Sequence, residues 1–80
     1  MKSFMNVELV HLSDGSREVR TTVYDSKSGI EKSFVNIFQI GRPIERLKRA
    51  RKFISNEKSY ASARGMQFSA SSNGIKLAVH

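Results

Sequence analysis

Cysteine is absent from the 80 residues, which removes disulfides and any cysteine-ligated zinc site from consideration. Tryptophan is absent too, and the two histidines, His11 and His80, are too few and too far apart to suggest a metal centre. No run approaches the roughly 20 apolar residues of a membrane helix. Asn6 and Glu8 interrupt the opening MKSFMNVELV, so it does not read as a signal peptide. These absences lead to the expectation of a single domain, residues 1–80, soluble and cytoplasmic, with no cofactor, no metal and no membrane partner. A chain this short buries only roughly 60–65% of its unfolded surface. Without disulfides or metal, self-association is the remaining way to add buried area, so a homo-oligomer is among the expected states.

Catalytic apparatus is missing as well. Glu8 and His11 fall on opposite faces of the first strand, so they do not form an acid–base pair. Asp14, Asp25, Ser16, Ser26 and Ser28 sit where turns need their local hydrogen bonds. No nucleophile has a base at a recognisable spacing, and no glycine-rich loop is built to cradle phosphate. The expectation is a protein that is not an enzyme.

Acidic residues are scarce, seven against fourteen lysines and arginines, and the balance of +7 is unevenly spread. Residues 42–64 hold eight cations (Arg42, Arg46, Lys48, Arg49, Arg51, Lys52, Lys58 and Arg64) against Glu45 and Glu57. This clustering, with a pI near 10.3, points to a polyanionic partner.

The remaining chain reads as strands and turns. Residues 4–12 alternate, and Asp14-Gly15 follows them as a type I′ hairpin turn. Residues 17–24 return as a second strand rich in β-branched residues. Residues 25–29 form a type I turn closed by Gly29. Residues 30–40, IEKSFVNIFQI, carry apolar side chains on both faces, the mark of a central strand pressed against a helix. Phe34 and Phe38 read as core residues there, while Tyr24 and Tyr60 suit half-exposed positions.

Pro43 is well placed as a first helical residue. At 100° per residue Ile44, Leu47, Ala50 and Ile54 make an apolar arc with Phe53 at its edge, opposite Arg42, Lys48, Arg49 and Lys52. The helix either stops near Ser55-Asn56 or continues through Ala61 to a cap at Gly65. Residues 66–72 alternate again, Asn73-Gly74 reads as a second hairpin turn, and residues 75–79 as a short closing strand. The expected fold is α+β: a three-stranded antiparallel meander, one basic amphipathic helix packed on the sheet, and a C-terminal β-hairpin, in the order βββαββ.

On this reading the leading expectation is a small non-enzymatic nucleic-acid-binding protein, with Arg42, Arg46, Lys48, Arg49 and Lys52 contacting phosphates. DNA is favoured over RNA, although composition alone does not separate the two; neither an RNA-recognition motif nor a double-stranded-RNA module is evident. A second expectation, from a different class, is a phage- or mobile-element-type inhibitor that docks on an acidic surface of a host protein. A third is an oligomer that captures a small anionic nucleotide. A helix lying on an anionic membrane is disfavoured, because the apolar arc has the width a sheet needs. Three strands, the turn YDSKSG (residues 24–29), an aromatic third strand and a basic helix, over roughly residues 7–58, resemble the small sheet domains of phage integrases and AP2-type DNA-binding proteins. That resemblance implies that the sheet reads DNA, with Arg17, Arg20 and Lys32 on the contact surface.

Overall fold

The alternating stretch near the N-terminus does become a strand, and it lies inside the sheet. The structure, a computed structural model, describes residues 2–76, with the side chains of 73–76 left aside. Strand β1 (Phe4–Leu12) pairs antiparallel with β2 (Arg17–Asp25), and β2 pairs antiparallel with β3 (Ile30–Phe38). Helix α1 (Pro43–Ala63) then carries the chain over one face to β4 (Gln67–Lys76), which lies parallel to β1. The strand order is β3-β2-β1-β4. Parallel neighbours cannot be joined by a tight turn, so the connection between the two sheet edges, about 14 Å apart at ordinary strand spacing, falls to the helix.

Met5, Val7 and Leu9 of β1, Val19 of β2, and Ala50 and Ala61 of α1 form the buried core. The two alanines let the helix backbone sit close to the sheet. Leu47, Phe53, Ile54, Met66 and Phe68 close around them, and Phe38 meets Phe53 edge to face at 5.9 Å between centroids. Position by position, Phe68 lies beside Met5 and Ala70 beside Val7, so β4 extends the same apolar face. Val10 and Leu12 are also buried, apart from that cluster.

Four expectations require correction. First, Asn73-Gly74 does not turn the chain: β4 runs straight through it to Lys76, so the βββαββ order becomes βββαβ over the described residues, and residues 77–79 of the expected closing strand lie outside them. Asn73 pairs with Val10 and Ile75 with His11, so Gly74 is the extra residue of a bulge. The edge of β1 offers pairing over the whole segment, which a hairpin would break. Second, β3 is an edge strand ending at Phe38, not a central one reaching Ile40. Ile40 is exposed, as is Phe34, which was expected in the core.

Third, Ile44 is 57% exposed rather than part of the covered arc, because the buried stripe runs through Leu47, Ala50, Ile54 and Ala61. Fourth, the first turn is not type I′. Gly15 has φ +85° but Asp14 does not reach positive φ. The amide of Gly15 donates to Leu12 O and that of Leu12 to Ser16 O, a three-residue loop in which only the last position needs glycine. Asp14 Oδ1 accepts from the Ser16 amide instead.

The helix question resolves towards continuity, 21 residues without a break. The Met66 amide donates to Ala61 O and the Gly65 amide to Ser62 O, the paired bonds of a Schellman cap. Gly29 closes the second turn in the left-handed region as expected, at φ +72° with its amide bonded to Asp25 O.

Two outcomes follow from this packing. Met5→Ala should cost about 2–5 kcal/mol in denaturant unfolding, whereas Ile44→Ala should stay within about 0.5 kcal/mol. In the second turn, the Lys27 amide and the Ser28 hydroxyl both donate to the Asp25 carboxylate at 3.0 Å. Those bonds, the Lys27 amide first, hold the Asp25 carboxyl below its ordinary value. A carboxyl lowered in the folded state adds stability above its unfolded value of about 3.9, and that stability fades as pH falls through the folded value. Asp25→Asn should therefore flatten the acid limb of the stability profile below about pH 5, measured by urea midpoints at successive pH values.

Candidate functional site

At 1.5 Å per residue α1 is about 32 Å long, and its cations crowd into its first half. Residues 42–52 hold six lysines and arginines against Glu45 alone. The last turn holds no basic residue. Arg42 is the N-cap residue with its backbone extended, and Pro43 follows at the first helical position. Lys48 and Lys52 stand one turn apart on the outer face, and Arg51 is exposed on its flank. Among the described residues the side chains of Arg42, Lys48, Arg51 and Lys52 make no hydrogen bond or ion pair, while the Arg42 carbonyl accepts from the Glu45 and Arg46 amides.

The other two residues expected in the site have intramolecular work. Arg46 Nε donates to Gly41 O at 3.0 Å, and Arg49 Nη1 donates to Ile40 O at 2.6 Å. Arg49 Nη2 also lies 3.6 Å from Glu45 Oε2. Both arginines thus reach back to fasten the link between β3 and α1. Gly41 permits this closure: its φ is +93°, and a Cβ there would lie 2.8 Å from Glu45 Oε2 and 3.1 Å from Arg49 Nη1. Arg46 reaches further, to the Gly15 turn, where an added Cβ would meet Nη1 at 3.1 Å. The five expected residues therefore divide into three free cations and two anchors. Arg51, outside those five, is exposed and joins the free group. Its signal was membership of the same charge run.

The sheet does not gather the cations that the resemblance implied. Arg20 points to the face away from the helix, where its Nε bonds Glu18 Oε1 at 2.5 Å and Nη1 lies 3.7 Å from Glu8. Arg17 sits on the helix-facing side of β2, its Nη1 donating to Gly15 O and Ser16 O. Lys32, paired with Val23, is on the helix side of β3. Arg17 and Lys32 lie on the helix-facing side and Arg20 on the reverse, so the three do not form one contact surface.

Beside the helix, where α1 leaves β3 uncovered, an open groove of about 710 Å³ runs between Ile30, Lys32 and Phe34 on one side and Phe53, Asn56 and Tyr60 on the other. Met5, Thr21 and Val23 form its floor. Arg64 stacks over the Tyr60 ring at 4.3 Å. Phe4 and Tyr24 stack on each other at 5.3 Å, so neither ring stands alone on the surface.

No group of three or more histidines, aspartates or glutamates is placed to hold a metal ion among the described residues, and no helix there is long and apolar enough to cross a membrane. No protein-family model matches the chain, and neither a curated protein nor a solved structure resembles it significantly. The α+β class, a four-stranded mixed sheet under one helix, is thus defined by the fold itself.

The division between free cations and anchors has a direct check. Arg49→Gln should lower stability by about 0.5–1.5 kcal/mol through the lost bond to Ile40 O, while Lys52→Gln should change it by less than about 0.5 kcal/mol. Chemical denaturation of the two variants side by side distinguishes them.

Proposed function

We propose that this is a small, non-enzymatic nucleic-acid-binding protein that presents the N-terminal half of α1 to phosphate. The observation that carries the reading is where the cations stand. Like charges crowded along one stretch of a helix repel one another, and that self-repulsion costs the compact state stability. Residues 42–52 hold six cations against Glu45 alone, and Lys48 and Lys52 stand as a like-charged pair one turn apart. A chain with so small a core has little reason to accept that cost unless the potential is used elsewhere.

Arg42, Lys48, Arg51 and Lys52 are the side chains free to contact phosphate, and the charges of Arg46 and Arg49 add to the field while their polar atoms hold the turn. DNA suits the ridge better than RNA. A helix with its side chains is about 10–12 Å across and matches the roughly 12 Å major groove of B-form DNA. The deep, narrow major groove of A-form RNA does not admit one.

Fluorescence anisotropy with labelled duplex DNA at a series of salt concentrations tests the reading. The wild-type affinity should fall steeply with salt, and K48E/K52E should weaken binding to every sequence and reduce the slope of log K against log salt by about 2. Binding without salt dependence, or no binding at low salt, rejects it. A stoichiometric protein companion that survives nuclease in a pull-down would transfer the ridge to an acidic protein surface.

A further inference from the structure

Strand β3 has the composition of an interior strand and the position of an edge. Ile30 and Phe34 on its helix side are 52% and 51% exposed, and Val35 and Ile37 on its other side are 56% and 45% exposed. Natural edge strands are blunted by charge, proline or a bulge. This one carries Glu31 and Lys32 near one end and an uncharged, proline-free run from Ser33 to Phe38, with no register shift against β2.

We infer that the missing neighbour is β3 of a second copy of this chain, paired antiparallel about a two-fold axis at Phe34. The inference stands apart from the nucleic-acid reading and uses a different surface. The full-length register sets Phe34 opposite the partner's Phe34 and Ile30 opposite the partner's Phe38. It sets Lys32 opposite the partner's Asn36 and Glu31 opposite the partner's Ile37, so no like charges meet. A two-residue slip in either direction puts Phe34 against lysine or asparagine, and a one-residue slip would turn the apolar set to the wrong face. The centred register therefore selects itself.

The product is a continuous eight-stranded sheet with both helices on one side, and the two open grooves adjoin across the axis. A standard interface takes roughly 800 Å² from each partner, about one-seventh of the 5574 Å² this molecule exposes. The strand edge is roughly 31 Å long, and the exposed Tyr60 and Ile40 add apolar surface beside it.

Because the chain has no cysteine, a single introduced thiol reports the register. Facing residues of an antiparallel pair have Cα atoms about 4.5–5.5 Å apart, within the range a disulfide spans. Under mild oxidation F34C should become a covalent dimer, and I30C and F38C should cross-link with each other when mixed but not alone. Sedimentation should show wild-type dimers at about 0.1 mM, a concentration suited to micromolar self-association, and V35K/I37K should remain a folded monomer by circular dichroism. A wild-type monomer at that concentration overturns the inference. So does a wild-type dimer that V35K/I37K leaves intact, or one in which F34C fails to cross-link.

Discussion

Strand β1 is hydrogen-bonded on both sides, to β2 over eight residue pairs and to β4 over nine, and the other features of the molecule depend on that arrangement. Once β4 occupies the second edge of β1 in parallel, β3 and β4 become parallel strands at opposite edges of the sheet. Only a long connection over one face can join them. The helix is that connection, and this fixes which of its faces meets the sheet. Met5, Val7 and Leu9 are buried because they lie under the middle of that crossing. The cations are exposed because they lie on the reverse of it.

The same constraint distributes the weak points. A helix laid across four strands by a 21-residue segment covers the centre better than the edges. On the β4 side, Phe68 and Met66 complete the cover. On the β3 side nothing equivalent exists, and a groove remains. The link from β3 to α1 is correspondingly anchored, with Gly41 in the left-handed region and Arg46 and Arg49 bonded to the carbonyls of Gly41 and Ile40. Two cations of a highly charged helix thus serve the fold, and the remaining four face solvent with no countercharge but Glu45 close by in sequence.

Local structure was legible where one periodicity or one turn residue decides it. The three-stranded meander, the Pro43 start and the alternation of β1 and β2 follow from such signals, whereas the sequence leaves the helix end open between Ser55-Asn56 and Gly65 and the structure shows it continuous. What misled was chemistry that depends on a distant partner. Asn73-Gly74 carries a strong local turn signal, but an open edge on β1 offers nine residues of pairing, and the glycine becomes a bulge instead. The two-sided apolar pattern of β3 reads as a covered, central strand, whereas the strand lies exposed at the sheet edge, because strand order is set by β1 pairing and not by the composition of β3. Charge clustering located the basic half of α1. It did not separate Arg46 and Arg49 from Lys48 and Lys52, because bonds to backbone carbonyls leave no trace in a count of charges.

The placement of β1 between β2 and β4 is the claim on which the helix crossing, the exposed ridge and the open edge all rest. Residue-resolved amide hydrogen exchange addresses it most directly, since a strand bonded on both sides opens only when the sheet does. The account predicts that the amides of Met5 to Val10 exchange most slowly in the sheet, with alternate amides of β4 from Phe68 to Ser72, those that point to β1, protected through that pairing. Fast exchange across β4, or protection that peaks in β3 of the monomer while β1 exchanges as an edge, would contradict it.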